Sequence, residues 1–595
     1  MRNVCLAVAS LALAAPAQAQ PEWYAVDDLV ESLRAGERAS ITTQAQLGAA
    51  SELPLYELTL EVADDLRTFT LEETAWITNR TGRPLAEVVF RVFANATGPE
   101  GEALLVTFVS GGCLDGLQCT VEASSPSAIV VRPAQAIAPG GRLRIAMRLR
   151  GRMRELAPER MGMMAQGLES LGSLAGGHGE GDYGLLAHSD RVASMAYFFP
   201  VLARMRGGLW EDRDASTMGD LGNDELAHVR ARVRVPDGVK VAATGIVSAP
   251  RVAGARTEHV AVAGFVRDFA LVVSPRLVQR ERRVGDVVVR SSFVEGDAQA
   301  GEQVLDVAAH ALRVFTQRFG PYPYTELDVV EAPLVGGAGG VEYSGLVTVA
   351  TMFYRPAGAA PQALLGGGAD MEAHRRSALE LVTAHEVAHQ WWHGLVGSDS
   401  RRHPFQDECL AQWSALLYLR ERYGAARAQQ EADRQVAAGY HMMRLMGRED
   451  AAVDRPVAAF GDSLSYAGLV YGKGPFVYRA LRTQLGDRAF FAALQGYVRE
   501  HRFRTAPPRA LFDRMATGRR AEAVRAIERR WLDEAHGDDD LGQPDLGRIL
   551  GGGAASPELN GMFRQLFGGS VGDQGGSDAE RRELLRGLME ALGSP

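Results

Sequence analysis

Two histidines stand four residues apart in the run His385-Glu386-Val387-Ala388-His389. On a helix, residues at i and i+4 project from one face, so both imidazoles can reach a single ion. Glu386 lies one position on and points about 100° round the helix. There it can act as a base toward a metal-held water without being a ligand. A catalytic zinc takes three protein ligands and keeps its fourth position for water. Nineteen positions after His389 comes Glu408, in Phe405-Gln406-Asp407-Glu408-Cys409-Leu410-Ala411-Gln412-Trp413. That segment restarts a helix after the loop 393–404, so its first turn can fold back onto the histidines, and Glu408 is the expected third ligand. A metzincin site would need Gly at 392 and His at 395, where Trp392 and Leu395 stand. His393, one turn beyond His389, is the rival ligand; it reads better as a partly exposed histidine at a helix end, and His403 as a loop histidine. Cys409 points about 100° away from Glu408 and reads as a small buried thiol.

These residues need a helical frame, and the chain supplies one in its second half. From about residue 301 apolar residues recur at helical spacing, with long helical patterns at 375–392, 405–423, 424–446, 473–485, 488–500 and 520–535. Between 55 and 278 the pattern is strand-like, as in 56–62, 128–132 and 229–235, with turn residues between. An irregular stretch rich in Met, Gly and Glu interrupts it at 153–183. The expected organisation is a mixed α+β chain. A β-rich N-terminal domain spans 20–280, a catalytic domain 281–450 and a helical extension 451–540, and a Gly-rich tail, read as flexible, spans 541–595.

Residues 1–19 read as a secretory signal peptide: Arg2 supplies the positive start, 4–15 the apolar run, and Ala17-Gln18-Ala19 the cleavage site. The expectation is an exported protein, periplasmic or secreted, with Gln20 at the mature N-terminus. Cys113 and Cys119 flank a turn-like loop and can close a small disulfide, which export would permit. The formal net charge of −9 and the 46% apolar and 23% charged composition describe a globular chain without a nucleic-acid footprint. No stretch is long and apolar enough to be read as a membrane span. The sequence carries no signature of an oligomeric state.

The chain resembles the M1 gluzincin aminopeptidases, whose signature is H-E-x-x-H followed after eighteen residues by Glu. The likeness continues through Gln390-Trp391-Trp392, through Gly339-Gly340-Val341-Glu342-Tyr343, similar to the family's G-x-M-E-N motif, and through Tyr471-Gly472-Lys473-Gly474, similar to its Tyr-x-Lys-Gly segment. It covers most of residues 55–540. It implies a saddle-like β-sandwich ahead of a thermolysin-like zinc-peptidase domain with a short helical C-terminal part. It also implies one zinc ion on His385, His389 and Glu408, with Glu386 as general base. Tyr471 would be the oxyanion donor, with Tyr466 as its local competitor. Glu342, approached by Gly339 and Gly340, would bind the α-ammonium of peptide substrates. Val341 and Tyr343 replace the family's usual Met and Asn, and Asp407 and Cys409 its common Asn and Gly. The family's long C-terminal helical domain looks truncated here. The expected activity is removal of N-terminal residues from peptides. The alternatives are a zinc endopeptidase, or a peptidase with altered N-terminal recognition, and a non-catalytic zinc-binding scaffold, against which the presence of Glu386 argues.

Overall fold

The computed structural model describes residues 23–43, 50–96, 103–163, 165–166, 183–212, 218–222, 225–355, 368–549 and 560–561. The proposed signal peptide lies outside them, as does most of the tail 541–595.

The N-terminal half is built on alternation. In β1 (Leu55–Val62) Leu58, Leu60 and Val62 are buried while Thr59 and Glu61 are less so, the period-two pattern of a strand with one face on a core. β1 pairs antiparallel with β2 (Thr68–Thr78), and β2 pairs antiparallel with β3 (Arg142–Arg152). On its other side β1 runs parallel to β4 (Ala227–Pro236), which pairs with β5 (Arg256–Val266). These five strands form the centre of an eight-stranded sheet. A five-stranded, a four-stranded and a two-stranded sheet make up the rest of this half among the described residues. Cys113 and Cys119 are joined in a disulfide.

The second half opens with a smaller sheet, in the order β6 (Leu277–Val284), β7 (Val287–Val294), β8 (Glu326–Ala332), β10 (Leu346–Ala350), β9 (Gly340–Tyr343). β7, β8 and β10 are parallel, and the edge strand β9 runs against β10. The helix α1 (Ala298–Phe319) lays Val304, Leu305, Ala308, Leu312, Phe315 and Phe319 into the core and ends at Gly320, whose φ of 120° favours glycine. Against it pack α2 (Gly368–Ala388), which holds His385 in its last turn and runs directly into His389, and α3 (Glu408–Tyr423). No helix among the described residues is long and apolar enough to cross a membrane.

A polar and aromatic clamp fixes the end of α2 against the sheet. Gln390 Nε2 donates to the Tyr343 carbonyl at 2.8 Å, and its Oε1 accepts from the Gly345 N–H at 2.8 Å. One side chain therefore locks the zinc-site helix to the turn after β9. Trp391 donates to the Gly320 carbonyl and Trp392 to Ser414 Oγ, each at 3.0 Å, while both rings pack on Phe319. The Gln-Trp-Trp run is thus the fastening between α1, α2, α3 and β9.

Candidate metal centre and substrate pocket

His385 and His389 close on each other and on Glu408. Their Nε2 atoms lie 3.0 Å apart, and each is 3.3 Å from Glu408 Oε2. Two ligands held about 2.0–2.2 Å from a tetrahedral ion sit about 3.3–3.5 Å from each other, so this triangle has the size of one face of a zinc coordination shell. Glu408 is the first residue of α3, and the side chain of its N-cap, Asp407, accepts the Glu408 N–H at 2.9 Å. Asp407 is itself bonded by Ser398 Oγ. The helix start therefore sets the direction of the third ligand. Burial opposes charge on Glu408, yet the hydrogen bonds from both imidazoles hold its carboxyl well below the usual range. Nδ1 of His389 is fixed by the Trp392 carbonyl at 3.2 Å, which leaves Nε2 for an ion. Two imidazoles and one ionised carboxylate, all buried, fit a borderline-soft dication.

Glu386 lies beside this group and is not part of it. It is buried, and its Oε2 has no hydrogen-bond partner within the protein. Burial pushes its carboxyl up to about 8, with His389 opposing and Glu408 adding to the rise. Gly340 is required beneath it: a Cβ there would stand 2.5 Å from Glu386 Oε1. At Gly339 a Cβ would meet only Val382 Cγ2 at 3.3 Å and Phe353.

Tyr471 sits on the other flank. Its ring centroid is 5.9 Å from that of His385 and 5.7 Å from that of Tyr466. Burial raises its phenol well above the ordinary value and the Glu408 carboxylate adds to this, so it stays protonated and can donate. The rest of its motif is anchorage. Lys473 is buried and donates to Asp450 Oδ1 at 2.9 Å, to the Ala451 carbonyl at 3.0 Å and to the Glu534 carbonyl at 2.9 Å. A Cβ on Gly472 would stand 2.6 Å from Tyr440 N, and one on Gly474 would collide with Cys409 Sγ. Cys409 donates to the Val470 carbonyl at 3.0 Å and faces away from the ion site.

Glu342, on β9, is buried and near the base: atoms of Glu342, Glu386 and His389 lie within 4.8 Å of one another. Burial, before any neighbour, drives its carboxyl well above the ordinary range.

Two residues join it that the motifs do not mark. Asp220 comes from the segment 218–222 of the N-terminal half, where Gly219 N–H donates to Tyr183 Oη at 3.0 Å. His393 is buried at 7% exposure, against the expectation of a partly exposed helix end. The helix breaks there, with φ −104° and ψ 45° at Trp392 and φ 176° and ψ −68° at His393, so His393 leaves the stripe of His385 and His389. No sequence pattern marks Asp220. His393 was visible only as a histidine close to the pair.

Residues 303–531 match the Peptidase family M1 domain. Among characterised relatives, the chain is 29% identical over 212 residues to rice "Aminopeptidase M1-B", 36% of this chain and 23% of that one. It is 28% identical over 246 residues to Arabidopsis thaliana "Aminopeptidase M1", 41% of this chain and 26% of that one. The matched stretch thus spans about a quarter of these relatives' length. The fold is similar to that of the M1 zinc metallopeptidase from Deinococcus radiodurans, with a TM-score of 0.55 and 18% identity, covering 81% of this chain and 94% of that one. A mutant of that protein was solved bound to a Tyr-Ser-Ala substrate. The matched stretch 303–531 takes in the histidine pair, Glu342, Glu408 and Tyr471, whereas Asp220 lies ahead of it.

Proposed function

We propose that the chain is a zinc-dependent aminopeptidase that hydrolyses the N-terminal peptide bond of peptides. The observation that carries this reading is the buried Glu342 carboxylate set within 4.8 Å of both Glu386 and His389. A carboxylate there can bind a substrate's free α-ammonium by a charge-assisted hydrogen bond and so places the first peptide bond, and no later one, at the base. A chain without a nearby ammonium leaves the buried Glu342 carboxylate without that charge-assisted bond, which disfavours internal cleavage.

Zinc held by His385, His389 and Glu408 would supply Lewis acidity toward the scissile carbonyl and lower the pKa of water. Glu386 takes the proton from the attacking water and returns it to the leaving amine. Tyr471 donates to the developing oxyanion. Gly340 lets the Glu386 carboxylate lie flat against β9. We further propose that the protein works outside the reducing cytosol; the Cys113–Cys119 disulfide supports this. A mature protein recovered from an exported fraction without a mass step at Gln20 would count against cleavage after Ala19.

The test is hydrolysis of aminoacyl-amides and their N-acetylated counterparts, with added zinc and with a chelator. Chelator-sensitive cleavage of the free-amine set alone is the expected result. Equal cleavage of both sets would move the protein to the endopeptidase reading, and no cleavage with zinc bound would favour the scaffold.

A further inference from the structure

His393 is held like a metal ligand, although nothing in the histidine-pair motif calls for it. Its Nε2 is 2.9 Å from Asp268 Oδ2, and Asp268 Oδ1 accepts the Ser344 N–H at 2.8 Å. The carboxylate therefore fixes the ring and turns Nδ1 toward the pocket. Nδ1 faces Glu342 Oε1 at 3.9 Å. A carboxylate that orients one imidazole nitrogen so that the other can ligate is the usual support behind a metal-bound histidine.

The third member is Asp220: one ligand atom each from Asp220, Glu342 and His393 lie within 4.8 Å of one another. This is more than an acidic cluster, because an oriented imidazole is one corner. The group also adjoins the primary site. Glu342 and Glu386 share a second such grouping with His389, and the Glu386 Oε2 between the two has no hydrogen-bond partner within the protein.

We propose that Asp220, Glu342 and His393 form a second divalent-cation site, filled by zinc when zinc is in excess and in competition with the substrate's α-ammonium. Two carboxylates and a neutral imidazole suit zinc better than magnesium or calcium, which prefer all-oxygen shells. Affinity is lower than at the primary site for a geometric reason. The primary ligand atoms already lie 3.0–3.3 Å apart, whereas His393 Nδ1 and Glu342 Oε1 of the second group are 3.9 Å apart and must draw together. Glu342 cannot serve an ammonium and a dication at once, so occupancy blocks the substrate's N-terminus. The blocking rests on the aminopeptidase reading; the second ion does not.

Zinc equilibrium dialysis on the full chain tests the binding directly. Wild type should hold one zinc tightly and a second at higher free zinc. Asp220→Asn and His393→Gln should each abolish the second and keep the first, and Glu408→Gln should lose the first and keep the second. Asp268→Asn should weaken the second by about 10–100-fold without touching the first. Asp220 lies on a loop, so its variant remains informative if His393→Gln fails to fold. In parallel, excess zinc should raise KM for an aminoacyl-amide without lowering kcat, and Asp220→Asn should remove that rise. A wild type that saturates at one zinc, or an Asp220→Asn variant that still binds two, overturns the proposal while leaving the aminopeptidase reading standing. Two zinc ions without any peptide hydrolysis would uphold the second site and sink that reading instead.

Discussion

An alanine at 340 would place a methyl carbon 2.5 Å from both Cδ and Oε1 of Glu386 and 2.6 Å from its Cγ. Ordinary van der Waals contact starts at 3.4 Å, so one partner must retreat by about 0.9 Å. Strand β9 is poorly placed to do so. Gly340 is registered opposite Val349, the Gly339 carbonyl accepts from Ala350 N–H at 2.9 Å, and Gln390 pins the strand's far end. The movement therefore falls on the Glu386 carboxylate. A misplacement of about 1 Å in a catalytic group costs about 100-fold in rate, or about 2.7 kcal/mol in the barrier. Overpacking adds a stability cost of about 1–3 kcal/mol. The assay is kcat and KM of Gly340→Ala on an aminoacyl-amide, measured well below its unfolding midpoint, with zinc content determined on the same sample. The expected result is a kcat about 100-fold lower with one zinc per chain retained. Gly339→Ala is the paired control: its nearest contact is Val382 Cγ2 at 3.3 Å, a side chain that can yield, and activity should stay within about threefold. Wild-type activity in Gly340→Ala, or equal losses at both glycines, would refute the placement of Glu386 against β9.

Three further outcomes are expected. Glu386→Gln should reduce kcat by about 100- to 10,000-fold with zinc retained, because the three ligands are untouched; loss of zinc would make Glu386 a ligand. Tyr471→Phe should lower kcat by about 100- to 1,000-fold with KM little changed, whereas Tyr466→Phe should not; the reverse ranking would transfer the oxyanion role to Tyr466. His228 predicts an acid-sensitive fold: burial lowers its pKa to about 4, its Nδ1 accepts the Phe265 N–H at 3.1 Å and its Nε2 lies 3.1 Å from the Ala50 carbonyl. As pH falls the unfolded chain takes up this proton first, near 6.5, so stability is intact at neutral pH and declines from there. The loss levels off near pH 4 at about 3 kcal/mol. Urea unfolding at pH 7 and pH 4.5 should show a smaller acid penalty in His228→Gln, and an equal penalty would remove His228 as its cause.

What the sequence determines by itself is whatever depends on local geometry. The i, i+4 spacing of His385 and His389 needs only one helical turn, and the end of α2 continues helically into His389 to provide it. The alternation in 56–62 needs only one buried face, and β1 has it. Cys113 and Cys119 are near enough in the chain for a single turn to join them, and they are joined. Glu408 was legible because a helix start after a short loop constrains where its first side chain points. The motif residues Gln390, Lys473 and Gly474 had no reason visible in the sequence; the fold shows one to be a clamp, one an anchor and one a clearance for Cys409. The acidic pocket was decided by tertiary structure. Asp220 reaches it from a loop 122 residues before Glu342, and His393 turns toward it only because the helix breaks after Trp391. Periodicity reports the face on which a side chain lies within its own element. Which loop of a β-rich domain arrives over a distant helix depends on how the two halves pack, and no local spacing encodes that.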